Sequence, residues 1–213
     1  MARPSLSRDA IVDAAVALAD DGGMGAVTMR AVAGKLGVEA MSLYHHVGDK
    51  RGLLEAAAER VWAQVDTTSR DSPMDASDWA DDVRHIASCA YETLLAHAWA
   101  LDVASSAGGE PRMRVIEAIL DALTRAGLSS DDVYEGYHLI DAVILGYVAQ
   151  QASYRGETGS GAGASAGAGA IPAGLDRVLE HAAAHQLERG PQSGFRIGLD
   201  LVLDSLARRV PAA

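Results

Sequence analysis

Between Thr28 and Lys50 the chain gathers hydroxyls, a phenol, an imidazole and cations in a short span: Thr28, Arg30, Ser42, Tyr44, His45 and Lys50, with the small or apolar Ala40 and Met41 among them. Hydroxyl, phenol and ammonium groups hold phosphate oxygens, a guanidinium fork matches guanine, and small or apolar side chains suit thymine methyls and close approach to a groove. That is chemistry for gripping nucleic acid. Two other sets invite different readings. Gly163, Ser165 and Gly167 satisfy the G-x-S-x-G pattern of a serine hydrolase. That motif needs a strand before it and a helix after it to strain the serine into exposure. Here it lies inside a Gly/Ala/Ser run at 156–170 that reads as a flexible loop. His181 and His185 stand four apart, the spacing of a two-histidine metal site on a helix, but no third convergent ligand is evident.

The elements around the first set follow from local rules. Thr28 is a good N-cap, its oxygen able to take an orphan N–H of the next turn. Met29, Val32, Ala33 and Leu36 recur at helical spacing and form one apolar face. Gly37 follows, the residue that leaves a helix with positive φ, and Val38 packs the turn. A second short helix is predicted from about Glu39 to His46, with Leu43 and Val47 inward. That turns Ala40, Met41, Ser42, Tyr44 and His45 outward. Asp49 then caps a longer helix from Lys50 to about Val65. Two short helices joined by a Gly-containing turn make a helix-turn-helix, whose second helix enters the major groove.

Residues 7–54 resemble the N-terminal DNA-binding domain of the TetR (tetracycline repressor) family of bacterial transcriptional regulators. The matching stretches are SRDAIVDAAVALADDGG, VTMRAVAGKLGV, the tyrosine of SLYHHV and the DKRGLL that opens the next helix. Beyond about residue 66 the likeness is one of architecture. The resemblance, together with helical position, implies that Thr28, Tyr44 and Lys50 hold phosphates and set register, and that Arg30 reads guanine. Ala40, Met41 and Ser42 would approach base edges, His45 would contact phosphate, and His46 would pack inward. It further implies an all-α chain: a three-helix DNA-binding domain over 1–49, a connecting helix over 50–66, and a larger bundle over 67–213 for effector binding and dimerisation. The function implied is that of a ligand-responsive, cytoplasmic, homodimeric repressor. It would bind a palindromic double-stranded operator and be released by a small-molecule effector, with no cofactor, metal or membrane. Asp66 and Ala104 align with the drug-contacting histidines of the tetracycline repressor, a departure that argues against tetracycline as the ligand.

Net charge is the main objection to DNA binding, at −11 over 213 residues. Its distribution answers the objection. Residues 1–54 carry six basic and six acidic side chains, whereas the remainder carries 12 basic and 23 acidic. The acid therefore sits in the body, where it repels DNA from the wrong surfaces. No apolar run reaches the roughly 18 residues of a transmembrane helix. The first residues lack a secretory core, and one cysteine, Cys89, cannot form an internal disulfide, which fits a reducing cytosol.

The rest of the chain reads as helices. Ser7 caps the first, with Ile11, Val12, Ala15, Val16 and Ala19 inward and Gly22-Gly23 at its end. Others are expected near 78–97, 111–126, 131–154, 173–188 and 193–209. Asp131 and Asp132 suit the start of the 131–154 helix, where their charge meets the helix dipole. In the last helix Phe195, Leu199, Val202, Leu203 and Leu206 form one face, but Ile197 and Leu201 are apolar too; the 131–154 helix is similar, with Leu139, Val143 and Gly146 off its main face. Helices apolar nearly all round need cover on more than one side. Central helices of a monomer would have it, and so would a dimer seam, with Leu203 as its test position. The resemblance favours the dimer, because two-fold symmetry sets two recognition helices one turn apart.

Trp62, Ile86, Cys89, Trp99, Met113, Tyr137 and Asp141 lie on helices that could line an effector cavity, against the plainer reading of core. Asp141 is a charge amid apolar neighbours and needs a partner. With Trp62, Trp99 and Tyr137 it suggests an apolar or aromatic cation as ligand; an arginine or histidine of the protein would serve instead. A helical-bundle enzyme or binding protein without DNA function is the alternative, although no nucleophile, base or metal cluster assembles from the sequence.

Overall fold

Side-chain caps start four helices. In a computed structural model, which describes residues 6–68, 78–104, 109–155 and 192–211, Ser7, Thr28 and Asp49 each accept a backbone N–H from three residues on, at 3.2, 3.0 and 2.8 Å. They begin α1 (Arg8–Ala26), α2 (Met29–Leu36) and α4 (Lys50–Trp62), with α3 (Ala40–Val47) between the last two. The body holds α5 (Trp79–Ala96), the short α6 (Ala100–Ala104), α7 (Gly109–Arg125), α8 (Ser130–Arg155) and α9 (Ser193–Ala207). Among the described residues there is no strand, and no helix long and apolar enough to cross a membrane.

Three expectations shift. The first helix leaves helical geometry at Gly22 and Gly23, as their flexibility allows, but resumes for one short turn to Ala26. The fourth cap, at the start of α8, is Ser129, whose hydroxyl accepts the Asp132 N–H at 3.2 Å and donates to the Asp132 carboxylate at 2.6 Å. This reciprocal arrangement satisfies an orphan donor that acidic residues alone would leave open. The third shift concerns Leu203. It is 2% exposed inside the protomer, so it belongs to the core between α9 and its neighbours, not to a seam. The 156–170 loop, the 173–188 helix, the G-x-S-x-G segment, His181 and His185 lie outside the described residues.

α4 is the mechanical centre. It packs on α1 of the N-terminal head and on α5, α6 and α7 of the body, burying Leu53, Ala56, Ala57, Ala58, Val61 and Trp62. Arg60 ties it to α1 by ion pairs with Asp9 and, at 3.1 Å, Asp13. In the body, α5 packs on α7 and α8, and α9 packs on α8 and α5. Tyr91 and Phe195 stack at 4.2 Å between ring centroids, and buried Asp82 is held by Arg125 at 2.8 Å.

Candidate nucleic-acid interface and the body cavity

The turn between α2 and α3 is built to hold α3 at a fixed angle. Gly37 takes φ +67, in the left-handed region. The Val38 N–H returns to the Ala33 carbonyl at 3.0 Å and the Gly37 N–H to Gly34 at 3.3 Å. Those are the two bonds of a Schellman motif. The next junction is equally tight. A Cβ on Gly52 would stand 2.6 Å from the Val47 carbonyl oxygen, so glycine lets the first turn of α4 close against the end of α3.

That frame buries Leu43 and Val47 beneath α3 and presents the opposite face, with Met41 72% exposed and Tyr44 and His45 also in solvent. Ala40 and Ser42 are half-buried at its shoulder. His46 is exposed, not packed inward as expected; a step of about 100° around α3 from buried Val47 takes it off the face that meets the neighbouring helices. Thr28 caps α2 through its oxygen and keeps its hydroxyl proton to donate. Arg30 and Lys50 are exposed and, among the described residues, form no ion pair. Lys35, in the last turn of α2, is a third such cation, absent from the expected set. Arg51 differs: Glu55 hydrogen-bonds it at 2.7 Å and holds its guanidinium firmly charged. The surface can grip phosphates from several sides and offers a thioether to apolar base edges.

The seven residues expected around an effector do not share one cavity. Trp62, Tyr137 and Asp141 come together around a residue not foreseen, Arg112. Its guanidinium carbon lies 5.4 Å from the Trp62 ring centroid, its terminal nitrogen 3.6 Å from Asp141, and it hydrogen-bonds Tyr137. Burial pushes the Asp141 carboxyl up, and Arg112 and His138 oppose that. The cation expected over the indole and beside the carboxylate is thus the protein's own, which removes the ground for a cationic ligand. Ile86 is core, and Met113 is half exposed on α7. Trp99 turns away to the head, donating its indole N–H to Asp20 of α1 at 2.7 Å.

Cys89 lies 3.9 Å from His85, and His85 lies 3.2 Å from Asp66. Cysteine, histidine and aspartate in that order resemble a thiol nucleophile with its base. Burial, with the charges of Asp66 and Glu92, instead pushes the thiol up, so it stays protonated. Among the described residues no three histidine, cysteine or acidic side chains are grouped to hold a metal.

An open cavity of about 350 Å³ lies at the end of α4, walled by residues 62–68 and by Pro111 and Arg114 of α7. Of the seven expected residues Trp62 alone is in this wall. Trp62 is 3% exposed, and among the described residues its indole N–H has no partner. A buried donor left unpaired costs about 1–3 kcal/mol.

Comparison with known proteins agrees with this architecture. Residues 11–57 match the family described as bacterial regulatory proteins, tetR family, and residues 72–210 match the tetracyclin repressor-like C-terminal domain. The tetracycline repressor protein class A from transposon 1721 of Escherichia coli is 30% identical over 205 residues, covering 96% of this chain and 92% of that protein. The Streptomyces coelicolor TetR family protein ActR, solved with actinorhodin, aligns over 97% of this chain and 99% of its own with a TM-score of 0.70 at 23% identity. BioQ, solved with its natural double-stranded DNA operator, aligns over 96% and 99% with a TM-score of 0.64 at 22% identity. With both halves matched in order, and with a capped helix-turn-helix leading through α4 into a helical body, the chain belongs to the TetR family of bacterial regulatory proteins.

Proposed function

We propose that this protein is a ligand-responsive repressor that binds a palindromic operator as a homodimer and is released by a small molecule. The observation that carries the reading is the exposed face of α3, held by the Gly37 turn and the Gly52 contact and flanked by cations that form no ion pair among the described residues. Met41, with Ala40 and Ser42 beside it, reads base edges; Thr28, Tyr44, His45 and Lys50 fix the backbone; Arg30 reads guanine. Relatives solved with an operator and with a small molecule support the two halves of the reading.

A two-fold dimer is supported by α8 and α9. Each buries one apolar face inside the protomer and leaves a second in solvent: Leu139 on α8, and Ile197 and Leu201 on α9. Two such helices from each subunit form a four-helix seam. Effector binding in the body then shifts α4, which carries the head, and moves the two recognition helices off half-site spacing. Selection from random duplexes should enrich a palindrome. Recovery of no palindrome, with the protein folded and dimeric, would count against the regulator and in favour of a helical binding protein without DNA function.

A further inference from the structure

We propose that Met41 reads one thymine in each operator half-site through the C5 methyl group of the base. The recognition helix then selects by an apolar contact and not by a hydrogen-bonding fork. The proposal rests on the reading of α3 as the helix that enters the major groove, and it names the chemical feature that α3 recognises there.

Met41 is 72% exposed, more than any other large apolar side chain among the described residues. Exposure alone asks for no partner; its place decides. Met41 is the second residue of α3, and the first residues of a recognition helix are those that reach base edges. Those edges carry donors and acceptors at every base pair, but one apolar group stands out among them, the thymine methyl. Against donors and acceptors a thioether displaces their water and returns no hydrogen bond of comparable strength. Against the methyl it removes apolar surface from water on both sides. Its unbranched chain, with three rotatable bonds, can follow the methyl into the groove.

The same helix has no side chain that bonds a base by two parallel hydrogen bonds. Residues 39–47 include no arginine, lysine, asparagine or glutamine, the residues that pair with guanine or adenine in that way. Glu39, exposed at the N-cap and without a side-chain cap bond, only accepts, and the major-groove edge of guanine offers only acceptors. Guanine is left to Arg30 on α2. Attraction comes from elsewhere. Arg30 and Lys35 on α2 and Lys50 at the start of α4 are exposed and form no ion pair among the described residues, and such cations pull on phosphates whatever the sequence. Discrimination at α3 therefore falls to the apolar contact.

Removing the methyl alone tests this. The palindromic duplex enriched from random DNA is synthesised with each thymine in turn, in both half-sites, replaced by deoxyuridine, which lacks the C5 methyl and keeps every donor and acceptor. The full-length parent and Met41→Ala, an exposed change whose fold circular dichroism checks, are titrated against each duplex. At one symmetric position the replacement should weaken the parent about fourfold per half-site and about fifteenfold over both, the worth of one buried methyl in each. For Met41→Ala the same replacement should cost less than about twofold, because the methyl has lost its partner. The proposal is overturned if no position weakens the parent by more than about twofold, or if the loss persists in Met41→Ala; in either case the operator reading stands. If the folded dimer enriches no palindrome, the operator reading itself fails and this proposal falls with it.

Discussion

The indole N–H of Trp99 donates to Asp20 at 2.7 Å, and the same carboxylate oxygen accepts from His97 at 2.7 Å, so the segment before α6 is fastened to α1 of the head. Asp20→Ala leaves the buried Trp99 donor without an acceptor and should lower unfolding stability by about 1–3 kcal/mol. Asp20→Asn, which keeps an acceptor oxygen, should lose less. Urea denaturation orders the three proteins, and equal losses for both variants would show that the joint depends on charge rather than on the hydrogen bond.

Gly52→Ala tests the seat of the recognition helix. Helix propensity alone favours alanine by about 1 kcal/mol. The 2.6 Å approach to the Val47 carbonyl should outweigh it, because backbone cannot yield as a side-chain tip does. A net loss of about 1–3 kcal/mol is expected, together with weaker operator binding. A stabilised variant with full affinity would mean that α4 can move aside at no cost to α3.

Lys50→Ala and Arg30→Ala should separate backbone contact from reading. Removing Lys50 should weaken all duplexes alike and lower the salt slope of binding by about one unit. Removing Arg30 should relax preference at one symmetric base pair. Titrations at several salt concentrations, against operator and scrambled duplex, distinguish the two outcomes.

Two leucines on α9 should behave oppositely. Leu201 is 65% exposed in the protomer and Leu203 is buried. Leu201→Asp should give folded monomers, because its charge is solvated once the partner leaves. Leu203→Asp should unfold the protein, since the charge would be trapped in the protomer's own core. Sedimentation with circular dichroism reads both. A dimeric Leu201→Asp would place the seam elsewhere.

Asp132 carries a pH dependence of known sign. The Ser129 hydroxyl first, then Arg209 at 2.7 Å, holds its carboxyl below the usual carboxylate range. A folded pKa below the unfolded one contributes stability that is present above the unfolded value, about 3.9, and lost as pH falls through the folded one. Asp132→Asn should therefore be less stable than the parent at pH 7, with the gap closing below about pH 4. A gap independent of pH would mean that the aspartate acts as a cap without its charge.

The head was legible in the sequence because its determinants are local. Ser7, Thr28 and Asp49 each bond a backbone N–H three residues on. Gly37 turns where only glycine turns cheaply, and Leu43 and Val47 choose the buried side of a helix too short to have many choices. Spacing along the chain is distance in space over such stretches, so the residue pattern alone turned Met41, Tyr44 and His45 to solvent, while Ala40 and Ser42, expected outward with them, are half-buried. The body obeys no such rule. Arg112 meets Trp62 and Asp141, 50 residues before it and 29 after it in the chain, and nothing local pairs it with either. Trp99 faces Asp20 because the join between α5 and α6 lies against α1, and Leu203 rather than Leu201 is core because α8 lies on one side of α9 and not the other. Helical periodicity shows which residues share a face; which face meets protein, and which charge finds which partner, was decided by how the helices pack.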